Sequence, residues 1–392
     1  MVIGTRPEAI KLATVVQELK SRPHVRTEVC LTGQHDDLLQ PVLQTFELEA
    51  THHLQARSDH EPSLAVLTAR IVERFTHVLE AAKPDWVIVQ GDTTSALAAA
   101  LAAFYARRRI AHVEAGLRTG NLQSPWPEEG NRRMIGQIAD LHFAPTMAAR
   151  RALLAEGIDA QRIRVTGNTG IDALRFVARQ IESDARVRSS LEDRFARAEG
   201  AGPMLLVTCH RRESQGRPLA QLVQALIEVL RVRRDVHVMW PVHPNPRVAG
   251  PVRALLEAAP DVRSRLHLLG PVDYRAFVYL MQRATCVITD SGGIQEEAPS
   301  LGLPTLVVRT STERMEAVRA GAAILVGTER PSLVRHVLQL LDDPVHRAAM
   351  SEVRDVFGDG RASRRIVEAL FTSPAKAGCG VGASGRVLET MG

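Results

Sequence analysis

Short runs of aliphatic and β-branched residues alternate with longer stretches of helical periodicity along almost the whole chain, and that alternation constrains the fold most. Strand, crossover helix and strand again is the pattern of a parallel sheet covered on both faces. In the first half, strands are expected over 2–3, 26–31, 85–90, 110–114, 141–144 and 163–166. Helices are expected over 7–20, after Gln34, over 63–82 and through the alanine-rich run 96–106. A charged helix over 171–198 reads as the bridge to a second unit. There the rhythm repeats, with strands over 204–208, 236–240, 266–269, 286–289, 305–308 and 323–326. Two short helices, 345–353 and 361–370, close the pattern.

A chain of 392 residues is too long for one ordinary core, so two doubly wound α/β units facing a cleft are the economical architecture. The expected division is 1–168 and 169–355, with a helix near 356–371 packing back on the first unit. The glycine-rich tail, 372–392, reads as disordered. The formal charge of +5 comes from arginine far more than lysine, whose only positions are Lys11, Lys20, Lys83 and Lys376. Arginine binds phosphates bidentately, which favours an anionic small ligand. No basic stripe interleaved with aromatics points to nucleic acid. The four cysteines, Cys30, Cys209, Cys286 and Cys379, form no CxxC pair and fit a reduced, cytoplasmic protein. No run is long enough to span a bilayer, no signal peptide is evident, and no metal-binding motif occurs.

The chemistry-bearing residues cluster at expected strand ends, where open α/β sheets bind ligands. Asp92 ends the run VIVQGD, Glu114 ends the run IAHVE, and Glu128 and Glu129 stand on the Gly/Pro/Asn-rich loop that follows. Carboxylates crowded at such a cleft suit proton transfer on a bound ligand. The alternative is that they cap helices and pair with Arg118, Arg132 and Arg133. Arg6 and Lys11 lie near the start of the first long helix, where backbone N–H groups favour anions. In the second unit, His210 follows a strand between Thr208 and the pair Arg211–Arg212, placed to move a proton or clamp a phosphate. Ser291, Gly292 and Gly293 form a strand-to-helix turn suited to cradling phosphate, with Glu297 one turn on and able to accept both ribose hydroxyls. His243 and Arg314 sit at two further strand ends; the HPNP run around the first reads as a rigid turn. Phe277 lies on a helix flanking the cradle. A diphosphate held by the second unit, with its sugar reaching the acids of the first, makes a nucleotide-sugar the natural ligand.

The blocks GTRPEAIK, TGQH, GDTT, HVEAGLRTG, SPWPEEGNR, GNTGIDAL, HRRES, VHPNP, TDSGGIQEEAPSLG and TSTER occur in this order from Gly4 onward. Together they closely resemble the non-hydrolysing UDP-N-acetylglucosamine 2-epimerases over nearly the whole chain. The resemblance implies two Rossmann-like domains in the GT-B arrangement, a homodimer, no cofactor and a UDP-sugar substrate. It implies that Asp92, Glu114, Glu128 and His210 are the catalytic group. It further implies that Arg6, Lys11, Ser291, Gly292 and Glu297 hold the UDP, with Phe277 beside the uracil. Arg211, His243, Gly293 and Arg314 complete the candidate substrate-binding set. The reaction implied is C2 epimerisation of UDP-GlcNAc to UDP-ManNAc through 2-acetamidoglucal, supplying surface polysaccharide synthesis.

Departures limit what is carried over. Asp37, in the pair Asp36–Asp37, and Glu61–Pro62 stand where some bacterial members place a Gln and an Arg-Gln pair of a second, activating UDP-GlcNAc site, so that site is not implied here. The first strand lacks several N-terminal residues, Met315 replaces a usual proline, and the tail matches nothing in the family. The nearest rival is an epimerase of another UDP-2-acetamido sugar, such as a diacetamido uronic acid. A hydrolysing relative, a glycosyltransferase of the same fold and a catalytically silent nucleotide-sugar sensor are further rivals. The sensor is disfavoured because Asp92, Glu114 and Glu128 are all present.

Overall fold

A computed structural model of the chain describes residues 1–34, 36–57, 63–196, 200–242, 245–352 and 355–372. In the first unit, β1 (Val2–Ile3), β2 (Cys30–Leu31) and β3 (His52–His53) form one parallel ladder. A second comprises β4 (Trp86–Gln90), β5 (Arg109–Val113), β6 (Leu141–Ala144) and β7 (Ile163–Val165). Strand β1 packs beside β4, so the two ladders continue one another. The expected six-residue strand at 26–31 shrinks to two residues because its partner offers only Val2 and Ile3 to pair with Cys30 and Leu31.

The second unit holds β8 (Met204–Thr208), β9 (His237–Pro241), β10 (Leu266–Leu269), β11 (Cys286–Thr289), β12 (Thr305–Val307) and β13 (Ala323–Leu325). They lie in the order β10-β9-β8-β11-β12-β13, every pair parallel. Renumbered from the start of this unit the order is 3-2-1-4-5-6, the doubly wound arrangement whose ligand crevice opens where the order reverses. That reversal falls between β8 and β11, where Thr208 and Thr289 are in register and their hydroxyls hydrogen-bond at 2.7 Å. The α/β class with parallel sheets in two domains is therefore as the sequence pattern predicts.

The expected charged helix over 171–198 is instead two helices, Thr169–Ser183 and Ala185–Phe195. Asp184 breaks them, because its carboxylate accepts the amides of Arg186 and Val187 and caps the second helix. The first of the two is not a solvated tether. Ile171, Leu174, Val177 and Ile181 are buried, and the helix packs on Arg6–Lys20 and Ala362–Thr372 on one side and on Tyr274–Arg283 on the other. One apolar core runs from Ile3 and Leu12 of the first unit through this helix to Leu206 and Val278 of the second. Phe46 stacks on Phe176 and on Tyr274, with ring centroids 5.5 and 6.2 Å apart. The helix Ala362–Thr372 docks on this junction: Asp172 accepts the Ala362 and Ser363 amides at 3.2 and 2.8 Å, and Ser363 meets Thr14 at 2.7 Å. Residues 373–392 lie outside the described residues.

Gly4 follows β1 where the chain passes close to Thr32 and to the start of the helix Thr94–Tyr105. A Cβ there would lie 2.1 Å from Ser95 Oγ and 2.7 Å from Thr32 Oγ1, two groups already hydrogen-bonded to each other. Gly4→Ala overpacks this point and is expected to destabilise the fold by about 1–3 kcal/mol, read as a lower midpoint in urea unfolding.

Candidate active site

The acids of the first unit are set by the turns after β1, β4 and β5. Glu8, in the first turn of the opening helix, is buried and accepts the amides of Gly4 and Thr5 at 2.9 and 2.6 Å. It also takes the Thr93 hydroxyl at 2.6 Å, which ties the turn after β1 to the turn after β4. Burial lifts its carboxyl above the ordinary value despite these donors. Glu114 adopts φ +63, a left-handed conformation that strains a non-glycine residue. Its carboxylate meets Lys11 Nζ at 2.6 Å and accepts from Gln90 Nε2. Burial raises the Glu114 carboxyl; Lys11 pulls the other way, while Glu296 and Asp92 reinforce the rise.

Asp92 pairs with Arg132, and its carbonyl accepts from Asn131 Nδ2 at 2.8 Å. Both partners stand on the helix Glu128–Ile138 that follows the Pro-rich loop, so this helix is clamped over the end of β4. The tandem acids at its start have separate tasks. Glu129 is fully buried and accepts the amides of Thr119 and Gly120 at 3.0 and 3.3 Å, with Arg132 and Arg133 beside it. It folds the loop. Glu128 lines the cleft, and its Oε2 is buried with no hydrogen-bond partner among the described residues.

In the second unit the buried Asp290, at the end of β11, organises the loop after β8. It accepts the amides of His210 and Arg211 at 3.0 and 2.9 Å and the Ser214 hydroxyl at 2.7 Å, with His210 Nδ1 3.3 Å away. Burial would raise this carboxyl, but His210, the Arg211 amide and Ser214 outweigh it and hold it well below the ordinary value. Ser291 precedes the helix Gly292–Glu297, and Gly292 lies directly beneath Arg314, whose Cζ would be 3.0 Å from a Cβ at that position. Gly293 is open. Glu297 accepts from Tyr274 Oη at 3.2 Å, and burial pushes its carboxyl up to about 7.

These elements face one cleft of about 490 Å³ whose lining includes Lys11, Asp92, Glu114 and Glu128 from the first unit and Arg211, Glu296 and Arg314 from the second. Six of the residues singled out in the sequence thus share one cavity. His210 flanks it through Asp290, and Ser291, Gly292 and Glu297 flank it on the short helix beside Arg314. Arg6 opens the helix that carries Lys11. Phe277 is half-buried and packs against the core outside the cleft lining. His243, Glu61, Pro62 and the Asp36–Asp37 side chains lie outside the described residues. Sequence reasoning passed over Glu296, Asn168, Gln90 and Asp290. Glu296 stands next to a chosen residue, but neighbours on a helix point about 100° apart, and only the fold tells which way each faces.

The family model for UDP-N-acetylglucosamine 2-epimerase matches residues 17–371. This chain belongs to that family. The UDP-N-acetylglucosamine 2-epimerase of Escherichia coli K12 is 46% identical over 369 residues, covering 94% of this chain and 97% of the relative. That of Neisseria meningitidis serogroup A is 42% identical over 370 residues, covering 94% and 98%. Among solved structures, the N. meningitidis UDP-GlcNAc 2-epimerase bound to UDP-GlcNAc superposes with a TM-score of 0.87 at 41% identity, covering 95% of this chain and 99% of that one. The Methanocaldococcus jannaschii UDP-GlcNAc 2-epimerase in complex with UDP-GlcNAc and UDP gives 0.78 at 31% identity, with coverage of 95% and 99%. Eight of the ten epimerase-family blocks read in the sequence contribute residues to the cleft lining; among the described residues TGQH and VHPNP contribute none.

The raised carboxyl of Glu297 has a measurable consequence. Because the folded protein binds that proton more tightly than the unfolded chain, its stabilising contribution is complete below the ordinary carboxyl range. It is lost as pH rises to about 7. Glu297→Gln removes this dependence, so urea unfolding should show the wild type losing stability relative to the variant between about pH 4.3 and pH 7, with a constant difference above that.

Proposed function

We propose that this epimerase-family chain interconverts UDP-GlcNAc and UDP-ManNAc by elimination and re-addition of UDP. The observation that carries the reading is one cleft with Asp92, Glu114 and Glu128 on one wall and Arg211 and Arg314 on the other. A base takes the C2 proton while the C1–O bond to UDP breaks, leaving 2-acetamidoglucal and UDP. A proton is then delivered to the opposite face of C2 as the UDP oxygen re-forms its bond to C1. No electrons are gained or lost overall, so the step calls for no redox cofactor. The C2 hydrogen is weakly acidic, so the barrier falls only if charge on the departing diphosphate is offset as it develops. In this reading Arg211, Arg314 and the Ser291–Gly293 turn supply that offset, supported by Arg211 and Arg314 lining the cleft, Gly292 lying against Arg314 and His210 pairing with Asp290.

Taking a proton from one face and returning it to the other is difficult for a single carboxylate, and the cleft supplies three. Two of them, Asp92 and Glu114, touch cations, while Glu128 lines the cleft and keeps one buried oxygen without a partner among the described residues. A closed cleft keeps the glucal and UDP together so that re-addition outruns escape. In this reading Arg6, Lys11, Ser291, Gly292, Gly293 and Glu297 hold the UDP, Phe277 lies beside the uracil, and the product supplies surface polysaccharide synthesis. The two domains divide at 168/169, with the helix Ala362–Thr372 belonging to the first. A cytoplasmic homodimer completes the reading: no helix of the described residues is long and apolar enough to cross a membrane, and Phe104, Tyr105 and Met134 remain exposed on two adjacent helices.

Incubation with UDP-GlcNAc in D2O should place deuterium at C2 of both recovered sugars and yield UDP-ManNAc, read by NMR and mass spectrometry. Release of UDP without C2 exchange would favour a hydrolase or transferase. Asp92→Asn, Glu114→Gln and Glu128→Gln should each lower turnover by about 10²–10⁴-fold while UDP still binds.

A further inference from the structure

Glu296 stands at a polar point where both units and the segment joining them meet. It is 5% exposed, and both of its oxygens are occupied. Oε1 accepts Arg314 Nε at 2.9 Å, and Oε2 accepts Asn168 Nδ2 at 2.7 Å, from the residue that caps the junction helix. Oε2 also faces Lys11 Nζ at 4.0 Å, and Lys11 lies 2.6 Å from Glu114 Oε2. A single ammonium from the first unit is thus shared between an acid of its own unit and an acid of the other.

We propose that Glu296 is a positioning residue for Glu114, acting through Lys11: by holding part of the ammonium's charge across the junction, it leaves Glu114 free to take a proton. The inference rests on the reading of Glu114 as a proton-transfer group. Its logic is competition between two carboxylates for one cation. Glu296 is kept ionised by Arg314, Lys11 and Asn168 even though burial opposes it. Glu114 lies nearer the ammonium, at 2.6 Å against 4.0 Å for Glu296, yet burial, then Glu296 and Asp92, raise its carboxyl against the pull of Lys11, with Gln90 beside it and Arg314 facing it from the second unit. Because Glu296 sits on the same short helix as the Gly292 turn, movement of either unit changes how Lys11 is shared. The base strength of Glu114 is thereby tied to how the two units sit on each other.

Two variants test this with opposite expected signs. Glu296→Gln keeps the shape but removes the charge, so Lys11 passes wholly to Glu114 and one repelling anion is lost. The apparent pKa of Glu114 should then fall by about one unit, a tenfold change in its proton affinity. Asn168→Ser keeps an oxygen able to cap the helix but loses the longer side chain's amide Nδ2 that donates to Glu296 Oε2, which then closes on Lys11; Glu114 should rise. The primary readout is ¹³C-carboxyl NMR titration of ligand-free, Glu-labelled protein, with the Glu114 signal assigned by its loss in Glu114→Gln. The second is the pH profile of kcat, whose acidic limb should move the same way in each variant, with UDP affinity within about threefold of wild type.

An unmoved Glu114 titration in both variants, whatever happens to Tm or kcat, overturns the proposal and leaves Glu296 as a structural ion-pair partner. Equal shifts of the same sign overturn it too. Opposite shifts in a protein whose wild type performs no C2 exchange would instead support the coupling while removing the epimerase reading.

Discussion

Two parallel sheets present their carboxyl ends to one cleft only if something rigid holds them face to face, and here that is the buried stripe of the helix Thr169–Ser183. Ile171, Leu174, Val177 and Ile181 sit in a core that includes residues of both units. Each such side chain contributes about 1.5–3 kcal/mol when fully buried. A solvated tether of the same length would contribute nothing comparable, and the two walls would drift apart. The Phe46–Phe176–Tyr274 stack and the docking of the helix Ala362–Thr372 through Asp172 extend the same junction. What this scaffold buries at its inner edge is polar: Asn168, Glu296 and Lys11.

The cleft also shows why counting acids in a sequence does not separate catalysis from structure. Asp92 and Glu114 make the ion pairs that an entirely structural reading expects, with Arg132 and Lys11. Yet their counterions themselves line the cavity, so pairing and proton transfer involve the same atoms. Glu129 is the contrasting case. It is sealed from solvent and spends both oxygens on the loop amides at 119 and 120, which leaves the adjacent Glu128 as the acid open to a ligand. Along the second unit the charges alternate, from Glu213 to Arg309, Glu313, Arg314 and Glu296, and the series crosses to the first unit at Lys11. Within this chain Glu313, Glu296 and Arg314 are held toward their ionised forms despite burial, the two carboxyls depressed and the guanidinium raised by their neighbours.

Much of this was legible in the amino-acid sequence because covered parallel strands write themselves as near-continuous apolar runs, as in Trp86–Gln90 and Met204–Thr208. The strand ends followed directly, and with them Asp92, Glu114, His210 and Ser291. Helix interruptions were harder: Asp184 reads as one more charge in a charged stretch until its capping bonds are seen. Least legible were residues whose meaning lies in a partner far along the chain. Asn168 and Glu296 are 128 positions apart, and Lys11 and Glu114 are 103 apart. No local periodicity carries that information. Glu8 belongs with them, since its task is to join two turns that only the sheet order brings together.

The central claim is that the second unit anchors a diphosphate while the first presents carboxylates to carbon 2 of the attached sugar. The most direct measurement is a crystal structure of the Glu114→Gln variant with UDP-GlcNAc bound. The account predicts the phosphates packed against Gly292 and Arg314, with C2 within about 3–3.5 Å of the Asp92 or Glu128 carboxylate, the separation at which proton transfer proceeds. A sugar ring turned to solvent with C2 beyond the reach of all three acidic positions, or phosphates bound away from the Gly292 turn, would contradict it.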